Sequence, residues 1–434
     1  MLIEFSVENF RSFRDLATFS MVAAKLRAKN KTLDENNVFH APGGSPSLLT
    51  SAAVYGANAS GKSNLIAAVD FMRRFVIDST RETMATGAID VESFRLSTTT
   101  VHQPSHFEMV FVLDDKRYRY GFEVTRERVV EEWLFYVPSR REARLFERFE
   151  DEVKLGDSFK EGHDLIGRTR PNALFLSVVA QFNGPIAQKV TEWFRSLRVV
   201  SGIQDIGIRQ YTMQRFLDDE YTPEMLKLIK RLDLGIQDLS VEKSVQILDQ
   251  ELERGPEELR EAIRVIRETT HPMGFERILV RTQHPTYDDG GEMVGYEVFN
   301  LDENESEGTK KLFALTGPLI DTLKLGHVLV IDELDARLHP LLTREIVSLF
   351  NSRQTNPKHA QLIFTTQDTN LLDNRFLRRD QIWFTEKDRQ GATHLYSLAE
   401  FKVRNDASFE RDYIRGRYGA IPYLGDIRQV VEEA

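Results

Sequence analysis

The sequence predicts an α/β fold with an antiparallel β lobe and a helical insert. Three observations predict it. Gly56-Ala57-Asn58-Ala59-Ser60-Gly61-Lys62-Ser63 fits G-x-x-x-x-G-K-[ST] between a short apolar stretch, 51–55, and a helical pattern, 64–72. A second apolar run, 327–331, ends in Asp332-Glu333. Between the two, period-two alternation gives way to helical spacing. At 434 residues the chain is too long for one small core. The expected layout is an N-terminal lobe over 1–172, a helical insert over 173–275 and a C-terminal lobe over 276–434.

The glycine-rich stretch has the strand–loop–helix setting of a phosphate-binding P-loop. Its glycines let backbone N–H groups turn inward, and the helix N-terminus adds its positive dipole end. Lys62 would reach the terminal phosphates and the Ser63 hydroxyl would bind Mg²⁺. Asn64 completes the expected ATP-binding set. A Gly-rich turn before a core helix is the alternative, and the partner motifs below argue against it.

Composition bounds the rest. The chain is 41% hydrophobic and 29% charged, an ordinary globular balance. Its net charge of −10 does not suit a general polyanion binder, although a local basic stripe could hold DNA. With no cysteine, disulfides, thiolate metal sites and cysteine nucleophiles are excluded. Residues 1–8 carry acids where a signal peptide needs an apolar core, and no run approaches the ~18 apolar residues of a membrane span. A cytoplasmic protein is expected, with no membrane partner.

Ile3, Phe5 and Val7 alternate with polar residues as in a half-buried strand, and 8–15 reads as a turn between two strands. Residues 25–50 read as loop around Pro42-Gly43-Gly44-Ser45-Pro46. Segments 106–113 and 117–124 flank a short polar turn and form a hairpin, with further strands at 132–136 and 145–149. Helices are expected at 187–197, 222–232 and 256–268. In the last, Leu259, Ile263 and Ile266 make an apolar face, while Arg260, Arg264 and Arg267 read as a solvated face, with a nucleic-acid contact as the alternative. Without sustained heptads this region predicts a compact helical bundle.

Ser306-Glu307-Gly308-Thr309 opens an apolar helix over 312–325. In the 327–333 strand, Asp332 fits the residue that holds Mg²⁺ through water. Glu333 fits the base that orients the attacking water. His339 has no metal-ligand spacing with another histidine and reads as structural. Residues 360–368 form another buried strand ending in polar residues, followed by a strand at 381–385.

In this order, these motifs resemble the ABC-type ATPase heads of the RecF, SMC, Rad50 and OLD-like proteins. The resemblance implies an ABC-type P-loop NTPase head that binds ATP and Mg²⁺. It places Arg11 beside the nucleotide, and Gln103 is the nearest glutamine to a Mg²⁺-reporting loop. Ser306 and Gly308 lie where the signature holds the γ-phosphate bound by the opposite chain, though Glu307 and Thr309 depart from L-S-G-G-Q. Asp335 matches the D-loop, and Gln367 replaces a switch histidine. A homodimer or higher homo-oligomer sandwiching ATP is implied. The 413–422 tail resembles the ends of RloA and AbiL type ATPases of phage-defence loci. The implied function is an ATPase sensor or regulator controlling a separate effector protein; a RecF-like DNA repair ATPase and a transporter ATPase are the alternatives. The stretch past Gln367 is shorter than the ~100–150 residues usual for a domain, and its acids show no two-metal pattern. No nuclease activity is therefore expected in this chain. The insert or the 413–422 tail would meet the effector.

Overall fold

The computed structural model describes residues 1–80, 87–203, 206–218, 220–232, 235–247, 274–404 and 407–422. The chain divides into two compact units, one of 1–204 with 321–434 and one of 205–320. The division falls elsewhere than the expected 172/173 and 275/276.

In the first unit, β1 (Leu2–Glu8) and β2 (Ala17–Ser20) pair antiparallel, with Val7 opposite Ala17. The turn between them holds Asn9 and Arg11 at φ +50° and +49°. Residues 25–50 were expected as loop but carry α1 (Lys31–Asn36) and the hairpin β3 (Val38–His40) and β4 (Ser47–Leu49). The Asn30 side chain caps α1 through Thr32 N, and Leu33, Phe39 and Leu48 are buried. Three short apolar anchors suffice where the Pro-Gly content suggested none. Next come β5 (Ser51–Tyr55), wholly buried, and α2 (Lys62–Asp78).

Strands β6 (Ser105–Leu113), β7 (Lys116–Val124), β8 (Val129–Val137), β9 (Ala143–Phe149) and β10 (Glu152–Leu155) complete a seven-stranded sheet of order β10-β9-β8-β7-β6-β1-β2. Asp114 and Asp115 turn the expected hairpin at φ +48° and +58°, the left-handed pair a two-residue turn needs. Alternate β6 residues Phe107, Met109 and Phe111 are fully buried. Phe107 meets Phe71 of α2 at 4.9 Å between ring centroids.

Helix α3 (Phe175–Gln181) and helix α4 (Pro185–Ser196), the latter expected at 187–197, fall in the range expected for the insert but pack into the first unit's core. Trp193 stacks on Phe111 at 4.0 Å, so the apolar face of α4 is claimed by the antiparallel sheet. β11 (Arg198–Ser201) follows.

The second unit holds α5 (Ile206–Phe216) and α6 (Thr222–Arg231), then β12 (Asp238–Ile247), β13 (Gly274–Tyr287) and β14 (Met293–Asn300) in one antiparallel sheet. The expected helical bundle is corrected here. Leu239 and Val241, then Ile278, Val280 and Thr282, recur every second residue, and Leu239, Val280 and Thr282 are buried. The expected 256–268 helix, with Leu259, Ile263, Ile266, Arg260, Arg264 and Arg267, lies outside the described residues. α7 (Leu301–Asn304) and α8 (Glu307–Leu325) close the unit, and α8 carries the chain back into the first.

There, β15 (Val328–Asp332), α9 (Pro340–Phe350), β16 (Gln361–Thr365), β17 (Ile382–Lys387), β18 (Thr393–Ser397) and α10 (Phe409–Ile414) follow. The second sheet has order β11-β15-β16-β5-β17-β18, parallel except for β18. One continuous core contains side chains of both sheets and of α2. The parallel registers put the carboxyl ends of β5, β15 and β16 on one edge, where such sheets bind ligands.

Candidate functional site

The loop after β5 is shaped by two glycines. Gly56 lies at φ +156°, and a Cβ there would stand 2.5 Å from the Thr385 carbonyl oxygen. Gly61 lies at φ +114°, and its Cβ would meet Thr393 Oγ1 at 2.3 Å. Neither position admits a side chain, so the loop is drawn against β17 and β18. Hydroxyls fasten it further. Ser60 Oγ and Thr385 Oγ1 are 2.6 Å apart. Thr393 Oγ1 lies 2.8 Å from the Ser60 carbonyl and 2.8 Å from Ser12 Oγ. Asn64 donates its amide to Ser12 Oγ at 2.7 Å.

Lys62 is buried in the mouth of this loop. Its Nζ donates to the carbonyls of Gly56 at 2.7 Å and Ala57 at 3.1 Å. Burial pushes its pKa down, while Glu333, Asp332 and Asp335 pull it up. The sheet thus gathers one amine and three carboxylates. Asp332 ends β15 and accepts from Thr365 Oγ1 at 2.6 Å. Glu333 follows at φ +53°. Asp335 Oδ2 accepts from Gln367 N at 3.2 Å, and Gln367 Nε2 donates to Asn58 Oδ1 at 2.7 Å. Ser63 is exposed in the first turn of α2, and Ala59 sits at φ +63°.

The remaining expected residues have partners of their own. Arg11 N donates to the Glu92 carbonyl at 2.8 Å, and its guanidinium lies 3.4 Å from the Glu92 carboxylate. Gln103 ends a short 3₁₀ turn; its carbonyl accepts from Asn9, and the residue lines a concavity of about 740 Å³ with Glu92, Arg95, His102 and Arg126. Ser306 and Gly308 belong to the second unit, where Ser306 Oγ accepts from Thr309 N at 3.1 Å and caps α8. His339 caps α9 through Leu341 N at 3.2 Å.

The 413–422 tail is anchored by two rings, while Ile414 and Ile421 are exposed. Tyr413 and Tyr418 are buried; Tyr413 meets Tyr55 at 5.9 Å and Phe384 at 5.4 Å between centroids. The tail therefore backs the residue immediately before Gly56, because its aromatic rings cover the end of β5. Sequence reasoning also missed Ser12, Thr365, Thr385 and Thr393. Lone hydroxyls at strand ends carry no periodic signal.

The donor set suits nucleotide with Mg²⁺. The glycines leave a cradle without side chains, lined by an amine and a helix N-terminus. Among the described residues, no cluster of three or more His, Asp or Glu side chains could hold a metal by itself. The Ser63 hydroxyl and the Asp332 carboxylate are oxygen groups of the kind a Mg²⁺ takes when phosphate oxygens and water supply the rest. Among the described residues no helix is long and apolar enough to cross a membrane.

Solved structures similar to the chain include an SMC head bound to the C-terminal winged-helix domain of ScpA (14% identity, 91% of this chain and 97% of that one, TM-score 0.44). The SMC head domain from Thermotoga maritima is similar over 91% of this chain and 98% of its own (14%, TM-score 0.39). So is an SMC head with an extended coiled coil bound to the C-terminal domain of ScpA derived from Pyrococcus furiosus (14%, 96% and 98%, TM-score 0.39). No curated protein matches the sequence. Residues 51–373, most of the chain and all of the loop, carboxylates and Gln367 above, match the family described as "AAA domain, putative AbiEii toxin, Type IV TA system", and the chain belongs to that family.

Proposed function

We propose that the chain binds ATP with Mg²⁺, hydrolyses it, and uses the cycle to regulate a separate effector in anti-phage defence. The observation that carries the ATPase reading is the convergence of Lys62, Asp332, Glu333 and Asp335 at the carboxyl edge of one parallel sheet. On ATP binding, Lys62 leaves the Gly56 and Ala57 carbonyls for the terminal phosphates and neutralises their charge. Loop amides of 57–63 cradle the phosphates. Ser63 and Asp332 would hold Mg²⁺, which supplies charge neutralisation at the β- and γ-oxygens. Glu333 takes the proton of the attacking water as the bond to the leaving ADP oxygen breaks. Gln367 donates hydrogen bonds near the γ-phosphate but carries no charge. Ser306 and Gly308 of a second copy complete the site in a head-to-tail homodimer.

The family's description as a toxin of a toxin–antitoxin system supports the defence setting. The test is turnover by the purified chain beside Lys62→Ala, with phage plating of cells carrying the neighbouring genes. Loss of both turnover and protection in Lys62→Ala is expected. Undiminished turnover would overturn the site. Turnover lost with protection intact would overturn the defence role.

A further inference from the structure

We infer that Thr365 is the positioning residue for the Asp332–Glu333 pair, a role that rests on the ATPase reading above. Thr365 is fully buried at the last position of β16. Its hydroxyl donates to Asp332 Oδ1 at 2.6 Å and accepts the Glu333 backbone N–H at 2.7 Å. A hydroxyl has one proton and two lone pairs, so the two bonds do not compete. The Thr365 carbonyl also accepts from Leu334 N at 3.0 Å. Three consecutive residues, Asp332 to Leu334, are thus tied to one threonine on the neighbouring strand.

Glu333 needs that restraint. Its φ of +53° is a conformation that a residue with a long side chain rarely adopts. The pair is also braced from β11. Gly202 N donates to the Asp332 carbonyl at 2.6 Å, and a Cβ at 202 would stand 2.0 Å from the Glu333 carbonyl oxygen. The turn that aims Glu333 is therefore wedged between a glycine that lets it approach and a hydroxyl that fixes it. The same hydroxyl commits one Asp332 oxygen as an acceptor and so orients the carboxylate toward its metal-holding task. The hydroxyl matters here, not the shape. Valine would fill the space but take this partner from a half-buried N–H and a half-buried carboxylate oxygen. Serine would keep both bonds.

The test compares wild type, Thr365→Val and Thr365→Ser for kcat, KM, the Mg²⁺ concentration giving half-maximal turnover, and binding of a fluorescent ATP analogue in EDTA and in Mg²⁺. Thr365→Val should bind the analogue in EDTA like wild type. It should lose about 10-fold of Mg²⁺-dependent affinity and about 100-fold of kcat, as for other partners that orient metal ligands. Thr365→Ser should stay within about threefold of wild type, since it keeps the hydroxyl. Wild-type kcat and Mg²⁺ dependence in Thr365→Val, or equal losses in both variants, would overturn the role. Should Thr365→Val not fold, Thr365→Ser against Thr365→Cys carries the test, because a thiol is a weak donor; equal behaviour overturns the proposal. Wild type that shows no Mg²⁺-dependent nucleotide binding removes the ATPase reading and this role with it. Active wild type beside an indifferent Thr365→Val removes only the positioning role.

Discussion

The side-chain amide of Gln367 donates to Asn58 Oδ1 at 2.7 Å, joining the end of β16 to the loop that follows β5. The Gln367 backbone N–H reaches Asp335 Oδ2 at 3.2 Å. One residue thus connects the phosphate-binding loop to the segment after Glu333. Gln367→Ala should leave ATP affinity nearly unchanged and lower kcat about 5- to 10-fold, the effect of one neutral hydrogen bond made in the reacting complex. Steady-state kinetics decides it; an unchanged kcat would leave Gln367 with no part in turnover.

Glu333→Gln should bind ATP, hydrolyse it about 100-fold more slowly, and accumulate the ATP-bound assembly, since general-base catalysis is lost while Asp332 still holds Mg²⁺. Light scattering with ATP measures the assembly. A variant that turns over like wild type would exclude Glu333 as the base.

Lys62→Ala and Gly308→Asp chains, each inactive alone, should partly restore turnover when mixed. A mixed dimer keeps one site with an intact Lys62 and an intact Gly308. No recovery at any ratio, with subunit exchange verified, would argue against sites shared between chains.

Tyr413 packs on Tyr55 and Phe384, and its hydroxyl donates to the Ala420 carbonyl at 3.1 Å. Tyr413→Ala should cost about 3–5 kcal/mol of stability, as for other buried aromatics. It should also weaken ATP binding, because Tyr55 adjoins Gly56. Tyr413→Phe should cost only about 1 kcal/mol, the single hydrogen bond. Urea melts and nucleotide titrations separate the two. A Tyr413→Ala chain that melts and binds like wild type would show that the tail does not support the loop.

The local elements of the site were legible in the residues. Gly56 and Gly61 need backbone freedom, so their spacing from Lys62 shows in the sequence. The apolar runs of β5, β15 and β16 read as buried strands, because strands covered on both faces keep polar residues to their ends. The opening alternation and the 106–124 hairpin were legible for the complementary reason, one face in the core and one outside. The insert misled because the region is mixed: α4 presents helical spacing but packs on Phe111 of a distant strand, and β12 and β13 alternate only over short stretches.

What the tertiary structure alone decided was which residues meet. Sequence order puts Thr393 more than three hundred positions from Ser12 and Ser60, yet folding places its hydroxyl within hydrogen-bond reach of an oxygen of each. Asp332 owes its orientation to Thr365 on the adjacent strand, and Tyr55 owes its cover to Tyr413 near the far end of the chain. A lone hydroxyl or ring carries no pattern along the chain. Its partner is set by sheet order and register, and these follow from burying both sheets and α2 in one core.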